Sequence, residues 1–225
     1  MNRLLLMLAV VTVMVSCQKE ISFDNPSGGG GTGGGATPDT YQPVSKDSYW
    51  KYKDSAFTGL ITTLTATGQQ KTIGSKNYQV IKSETTGQPA AEAYFYVAKP
   101  LYGLRQDVNN GVATTIEFVY LNDTASIGYT WTDNMPPVNG LNARFNGEII
   151  ERNISKTVAG KNYTNVIHTR LKLEYEFPIL GWTQFATYEY YISKGVGIIR
   201  IESDLSAFGQ TTVRTVADLI DYSIK

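Results

Sequence analysis

The chain has 225 residues, with 20 basic and 20 acidic side chains, one histidine and one cysteine. Removing residues 1–16 takes away Arg3 alone, leaving 19 basic and 20 acidic residues, a balance with no electrostatic pull toward nucleic acid or anionic headgroups. With its only cysteine at Cys17, the rest of the chain has no disulfide and no sulfur ligand for a metal, and residues 41–225 suffice for one sizeable core.

Residues 4–17 are uncharged and mostly apolar, with Arg3 before them and Lys19 after. The run has the length of a signal-peptide core and falls short of the roughly 20 residues a spanning helix needs. It ends in Met14-Val15-Ser16-Cys17, which resembles a bacterial lipobox with Met14 where leucine is usual. The resemblance implies diacylglyceryl transfer to the Cys17 thiol, cleavage between Ser16 and Cys17, and palmitate or a similar acyl chain on the new amino terminus. Gln18-Lys19-Glu20 is similar to the charged signals of some surface-exposed lipoproteins, which favours surface display over a periplasm-facing location.

Residues 17–40 read as lipidated cysteine plus tether. Seven of the nine residues 28–36 are glycine, so the stretch has no side chains whose burial would repay ordering. Residues 27–40 as a coil reach about 20 Å root-mean-square.

From residue 41 the pattern is β. Residues 49–53, 60–67, 78–82, 93–98 and 115–121 are short runs rich in Tyr, Thr, Val, Ile and Phe, bounded by turn formers. Asn109-Asn110-Gly111 and Leu121-Asn122-Asp123 are turn signals. The clearest strand, 163–177, places odd positions from Tyr163 to Phe177, Asn165 among them, toward a core. His168, Arg170, Lys172, Glu174 and Glu176 face the other way. Residues 184–194, 197–203 and 211–224 continue the series. Tyr188, Tyr190 and Ile192 oppose Phe185 and Tyr191, so both faces carry large groups, as they would if one met a second sheet or a ligand cavity. Lys194-Gly195-Val196-Gly197 reads as a tight turn. The expected fold is all-β: one antiparallel domain over 41–225, a strongly curved sheet or open barrel, with a β-sandwich as alternative and little helix.

Asp47-Ser48-Tyr49-Trp50-Lys51-Tyr52, Ile127-Gly128-Tyr129-Thr130-Trp131, residues 159–167 (AGKNYTNVI) and Tyr190-Tyr191-Ile192-Ser193-Lys194-Gly195-Val196-Gly197-Ile198-Ile199-Arg200 occur in that order. Together they resemble a group of β-rich Gram-negative envelope lipoproteins. The resemblance implies the curved-sheet architecture and carries over no catalytic residue.

Chemistry is sparse. His168 reads as an exposed strand histidine without a positioned partner. Glu174 and Glu176 stand roughly 6.6 Å apart on one strand, a spacing that can serve glycoside hydrolysis, yet they continue a charged stripe that reads as a solvated face. No phosphate loop, calcium loop or cofactor motif is present in the sequence, and no metal ligand set is expected. The excess is aromatic: three tryptophans and fifteen tyrosines. They fill sheet edges, or else Trp131, Trp182, Tyr188 and Tyr190 stack on sugar rings. The sequence thus points to a non-enzymatic lipoprotein, anchored to the outer membrane through Cys17. It would play a structural role or bind a small hydrophobic ligand, with glycan binding second and a Glu174/Glu176 hydrolase third.

Overall fold

A computed structural model of the chain describes residues 38–56, 59–109, 113–138, 140–207 and 210–225. Cys17, the signal segment, nearly all of the tether and Asn110-Gly111 lie outside the described residues. Twelve strands follow in chain order: β1 Tyr49–Asp54, β2 Ile61–Ile73, β3 Lys76–Thr85, β4 Ala91–Ala98, β5 Leu101–Asn109, β6 Ala113–Asn122, β7 Thr130–Val138, β8 Leu141–Val158, β9 Lys161–Phe177, β10 Gly181–Ser193, β11 Gly197–Ala207 and β12 Gln210–Ser223. No helix occurs among the described residues.

The strands form one antiparallel sheet in the order β6-β5-β4-β3-β2-β1-β12-β11-β10-β9-β8-β7. Two meanders, β1–β6 and β7–β12, are therefore joined by the pairing of the first strand with the last, from Tyr49 opposite Ser223 to Asp54 opposite Ala217. The sheet curls until its two edges, β6 and β7, approach each other. The result is a nearly closed barrel rather than a sandwich.

The seam between these edges is closed by side chains instead of a ladder. An edge strand leaves backbone groups unpaired, which invites pairing with another chain. Here Val119 of β6 has both groups taken by β7: its N–H donates to Asp133 Oδ2 at 2.7 Å, and its carbonyl accepts from Trp131 Nε1 at 3.0 Å. The next carbonyl, Tyr120, accepts the Thr169 hydroxyl of β9 at 2.8 Å. Burial raises the pKa of Asp133, partly offset by the Val119 N–H. Asp133→Asn, which keeps an acceptor and removes the charge, is expected to leave the urea midpoint at pH 7 unchanged or raised. Asp133→Ala strands the Val119 N–H and is expected to cost about 1–2 kcal/mol.

The interior is filled with rings. Phe118 and Phe145 centroids lie 4.5 Å apart, Tyr120 stacks on Tyr190 at 5.9 Å, and Trp50 meets Phe95 edge-on at 6.4 Å. Ile149, Ile167, Leu171, Ile192, Ile199 and Leu219 are fully buried among them. β7 carries Pro136 and Pro137, which no central strand tolerates, and it is an edge.

Two expectations for the longest strands are corrected. On β9, Ile167, Thr169, Leu171, Leu173 and Tyr175 are buried as alternation requires, but Asn165 is exposed. Its backbone is left-handed, with φ 52°, which breaks the alternation, and Val166 takes the buried place beside Ile167. His168 is on the outer face yet only 7% exposed. Tyr191 of β10 stacks on its ring at 4.2 Å, and the Lys156 ammonium of β8 lies 3.4 Å from the Tyr191 centroid. The second apolar face of β10 is thus roofed by side chains of the same sheet, not by a second sheet.

Candidate functional site

Strand direction divides the barrel into two ends. At one end lie the β4–β5, β8–β9 and β10–β11 turns and the β6–β7 connection; at the other lie the β7–β8 and β9–β10 turns. Residues 38–48 enter at the first end and plug it. The Gly195 N–H donates to the Thr40 carbonyl at 2.7 Å, the Tyr41 N–H reaches Tyr102 Oη at 3.4 Å, and the buried Gln42 side chain accepts from Tyr120 Oη at 3.2 Å. Trp50 Nε1 donates to the Val196 carbonyl at 2.6 Å. Gly197, φ 111°, has to be glycine: a Cβ there would sit 3.1 Å from the Gln42 amide and 3.2 Å from Trp50 Nε1.

Around this plug run two adjoining grooves of about 420 and 660 Å³, which share Asp39, Asn165 and Lys194. Asp39 is held by Lys194 Nζ at 2.5 Å and Lys99 Nζ at 3.3 Å, and these hydrogen bonds keep its carboxyl below the ordinary value. Arg152 of β8 donates to the Asp123 and Ala125 carbonyls, pinning the β6–β7 connection over the larger groove. Asp123 in turn accepts from Tyr102 Oη at 2.8 Å.

Two strand residues of the wall, Asn153 (φ 55°) and Asn165 (φ 52°), have left-handed backbones. Shifts in the β8–β9 register fall on either side of Ile154, next to Asn153. Bulges of this kind re-aim side chains and cluster at functional sites. Neither asparagine's side-chain amide bonds another described residue. Behind the smaller groove lies Tyr163, 5% exposed, whose hydroxyl has no partner among the described residues. Burial pushes its phenol up to about 12. A buried hydroxyl in that position calls for a ligand or water partner. Strand alternation places Asn165 on the core face and so conceals this wall; the one signal for it in the sequence is Asn in the middle of a strand, a residue tolerant of positive φ.

The residues singled out from sequence are scattered. Tyr190 is 6% exposed and stacked on Tyr120, and the Tyr188 ring packs inward, 6.1 Å from Phe145, so neither offers a face to a sugar. Trp131 closes the seam, with Tyr129 stacked on it at 6.1 Å. Trp182 is at the opposite end of the barrel, its ring 4.0 Å from the Arg144 guanidinium. Glu174 accepts from Arg144 and Asn146, and Glu176 from Asn142, all neighbours on β8. The two carboxylates are spent on one strand face rather than set across a cleft. Among the described residues no cluster of His, Cys, Asp and Glu could hold a metal ion.

A single antiparallel sheet curled into a nearly closed barrel defines the structural class, and two solved proteins share it. One, from Parabacteroides distasonis ATCC 8503, is inferred to be a lipoprotein: TM-score 0.54, 12% identity, 81% of this chain and 98% of that one covered. The other, from Bacteroides fragilis NCTC 9343, is inferred to be exported and has a YmcC-like fold: TM-score 0.51, 9% identity, 80% and 97% covered. At these identities the likeness is one of fold. No family model and no curated protein matches the sequence.

Proposed function

We propose that this chain is a lipoprotein of the outer membrane, acylated on Cys17 after cleavage behind Ser16, whose barrel binds a polar saccharide in the grooves at its tethered end without transforming it. The lipobox-like Met14–Cys17 sequence supports the anchor, and two fold neighbours inferred to be a lipoprotein and an exported protein accord with an envelope location. The charged residues after Cys17 favour display at the surface.

The observation that carries the binding reading is the orphaned Tyr163 hydroxyl behind a wall of amides and hydroxyls. Asn153 and Asn165 each offer a donor and an acceptor, the pairing that vicinal sugar hydroxyls match. Thr164, Ser193 and the Tyr222 ring complete the smaller groove. An interior packed with rings speaks against a hydrophobic ligand held inside the barrel, which needs at least about 300 Å³ of apolar space. Carboxylates tied to strand neighbours speak against hydrolysis.

The test is native electrophoresis through gels containing envelope or plant polysaccharides. Wild-type protein is expected to be retarded, and Asn165→Ala and Tyr163→Phe to migrate freely. Equal retardation of all three, or of none on any polysaccharide, would overturn the reading. Without ligand, Tyr163→Phe is expected to gain about 1 kcal/mol in urea unfolding, because it removes a buried hydroxyl with no partner. A variant both more stable and poorer at retention separates a binding hydroxyl from a packing one.

A further inference from the structure

The end of the barrel opposite the tether carries an apolar point. Between β9 and β10 the chain turns through Pro178-Ile179-Leu180. Ile179 is 95% exposed, the largest exposure of any large hydrophobic side chain among the described residues, and its chain neighbour Leu180 is 61% exposed, whereas Ile127, 63% exposed in the β6–β7 connection, has no aliphatic neighbour in the chain. One step behind this apex stands Trp182, 36% exposed, with the Arg144 guanidinium over its ring. Pro136 and Pro137, also exposed, lie near the β7–β8 turn at the same end. An aliphatic tip with a tryptophan–arginine collar is the arrangement that sits at a bilayer interface: the tip enters the acyl boundary, and the collar stays at headgroup level.

We infer that the β9–β10 tip is a second membrane contact, which seats the anchored barrel tip-down on the bilayer that holds its lipid. The inference rests on the lipid-anchor reading above. A convex apex suits a fluid interface better than a protein partner, which would need a matching pocket. The reach of the chain permits it. β10, thirteen residues long and tilted as barrel strands are, sets a barrel height of about 33 Å. The twenty residues 18–37 span at most about 66–72 Å when fully extended, about twice the barrel height and so enough to run from the membrane past the barrel to its far end. A shorter tether would hold the plugged end down. Because the anchor keeps the tip at high local concentration, two or three apolar side chains suffice for a contact that would be marginal in a free protein. Tip-down seating also turns the grooves around Asp39, Asn165 and Lys194 away from the lipid, toward whatever they bind.

The experiment uses the full chain purified from membranes and placed in zwitterionic vesicles with bromine-labelled acyl chains. Trp182 fluorescence, isolated by comparison with Trp182→Phe, is expected to be quenched at least two-fold more than in an Ile179→Ser/Leu180→Ser double variant. Trp50 and Trp131, in the core and the seam, should be unaffected. Equal quenching with and without the apolar tip, or none, overturns the seating. Cross-linking of the tip to a protein without quenching overturns it in favour of a partner. Intact mass reads the anchor separately: an unacylated chain that washes off the vesicles ends the lipoprotein premise, whereas an acylated chain with an unquenched tip ends only the tip contact.

Discussion

Gly147→Ala is expected to destabilise the barrel by about 3 kcal/mol, a large effect for one added methyl group. On β8, Gly147 faces Trp131 of β7, and a Cβ there would lie 2.1 Å from Trp131 Cε2 and 2.3 Å from Cζ2. The indole would have to move. Its Nε1–H is one of the two bonds that satisfy Val119 across the β6/β7 seam, so the overpacking cost is joined by a lost hydrogen bond at a strand edge. Urea unfolding should show a lower midpoint. Because the freed β6 edge can pair with another chain, size-exclusion chromatography should also show dimers or larger species. An unchanged midpoint with monomeric protein would mean that Trp131 does not lock the seam.

His168→Ala is expected to cost about 2–3 kcal/mol, whereas truncating an exposed strand histidine would cost little. The ring's Nδ1 lies 3.0 Å from Glu151 and its Nε2 2.8 Å from Glu189, so each ring nitrogen has a carboxylate within hydrogen-bond reach. Truncation removes both bonds and the surface on which Tyr191 stacks. Arg170 remains on Glu189 at 2.6 Å and limits the loss. The same network sets an acid limit. Burial acts to raise the Glu189 pKa, but the hydrogen bonds from His168 and Arg170 outweigh it, and the net shift is downward from 4.5. A lowered carboxyl contributes stability that is complete above its unfolded value and is lost as the pH falls below about 4.5 through the folded value. Glu117, shifted down by Lys76, Tyr78 and Arg105 against its own burial, acts with the same sign, and Asp133, raised by burial, acts against it. Denaturant titrations at pH 7 and pH 4 should show wild type losing more stability on acidification than His168→Ala. Equal losses would remove Glu189 from the acid response.

The strands legible in the sequence are those whose faces differ in chemistry. β9 from Ile167 to Tyr175 alternates apolar and charged residues, and β1, β10 and β11 carry dense β-branched and aromatic runs. β5, β7 and β8 are less legible. β7 has two prolines and a polar outer row; β8 interrupts its inward row with Gly147, which looks like a breaker until Trp131 is seen lying on it. The two asparagines of the groove wall were hidden for a related reason. A left-handed residue inside a strand has no pattern of its own and only spoils the alternation around it.

By itself, then, the sequence determined the β class, the single core, the turn at Lys194–Gly197 and the expectation of a lipid on Cys17, because period, turn chemistry and a short apolar leader are local properties. Tertiary structure alone decided which strands are edges, that the interior is full of rings, and that His168 is buried on an outer face. It also decided that Asp39, Tyr163, Asn153, Asn165 and Lys194 share one end of the barrel. These are contacts between residues far apart in the chain, fixed by the curl of the sheet and by the side chains that close its seam.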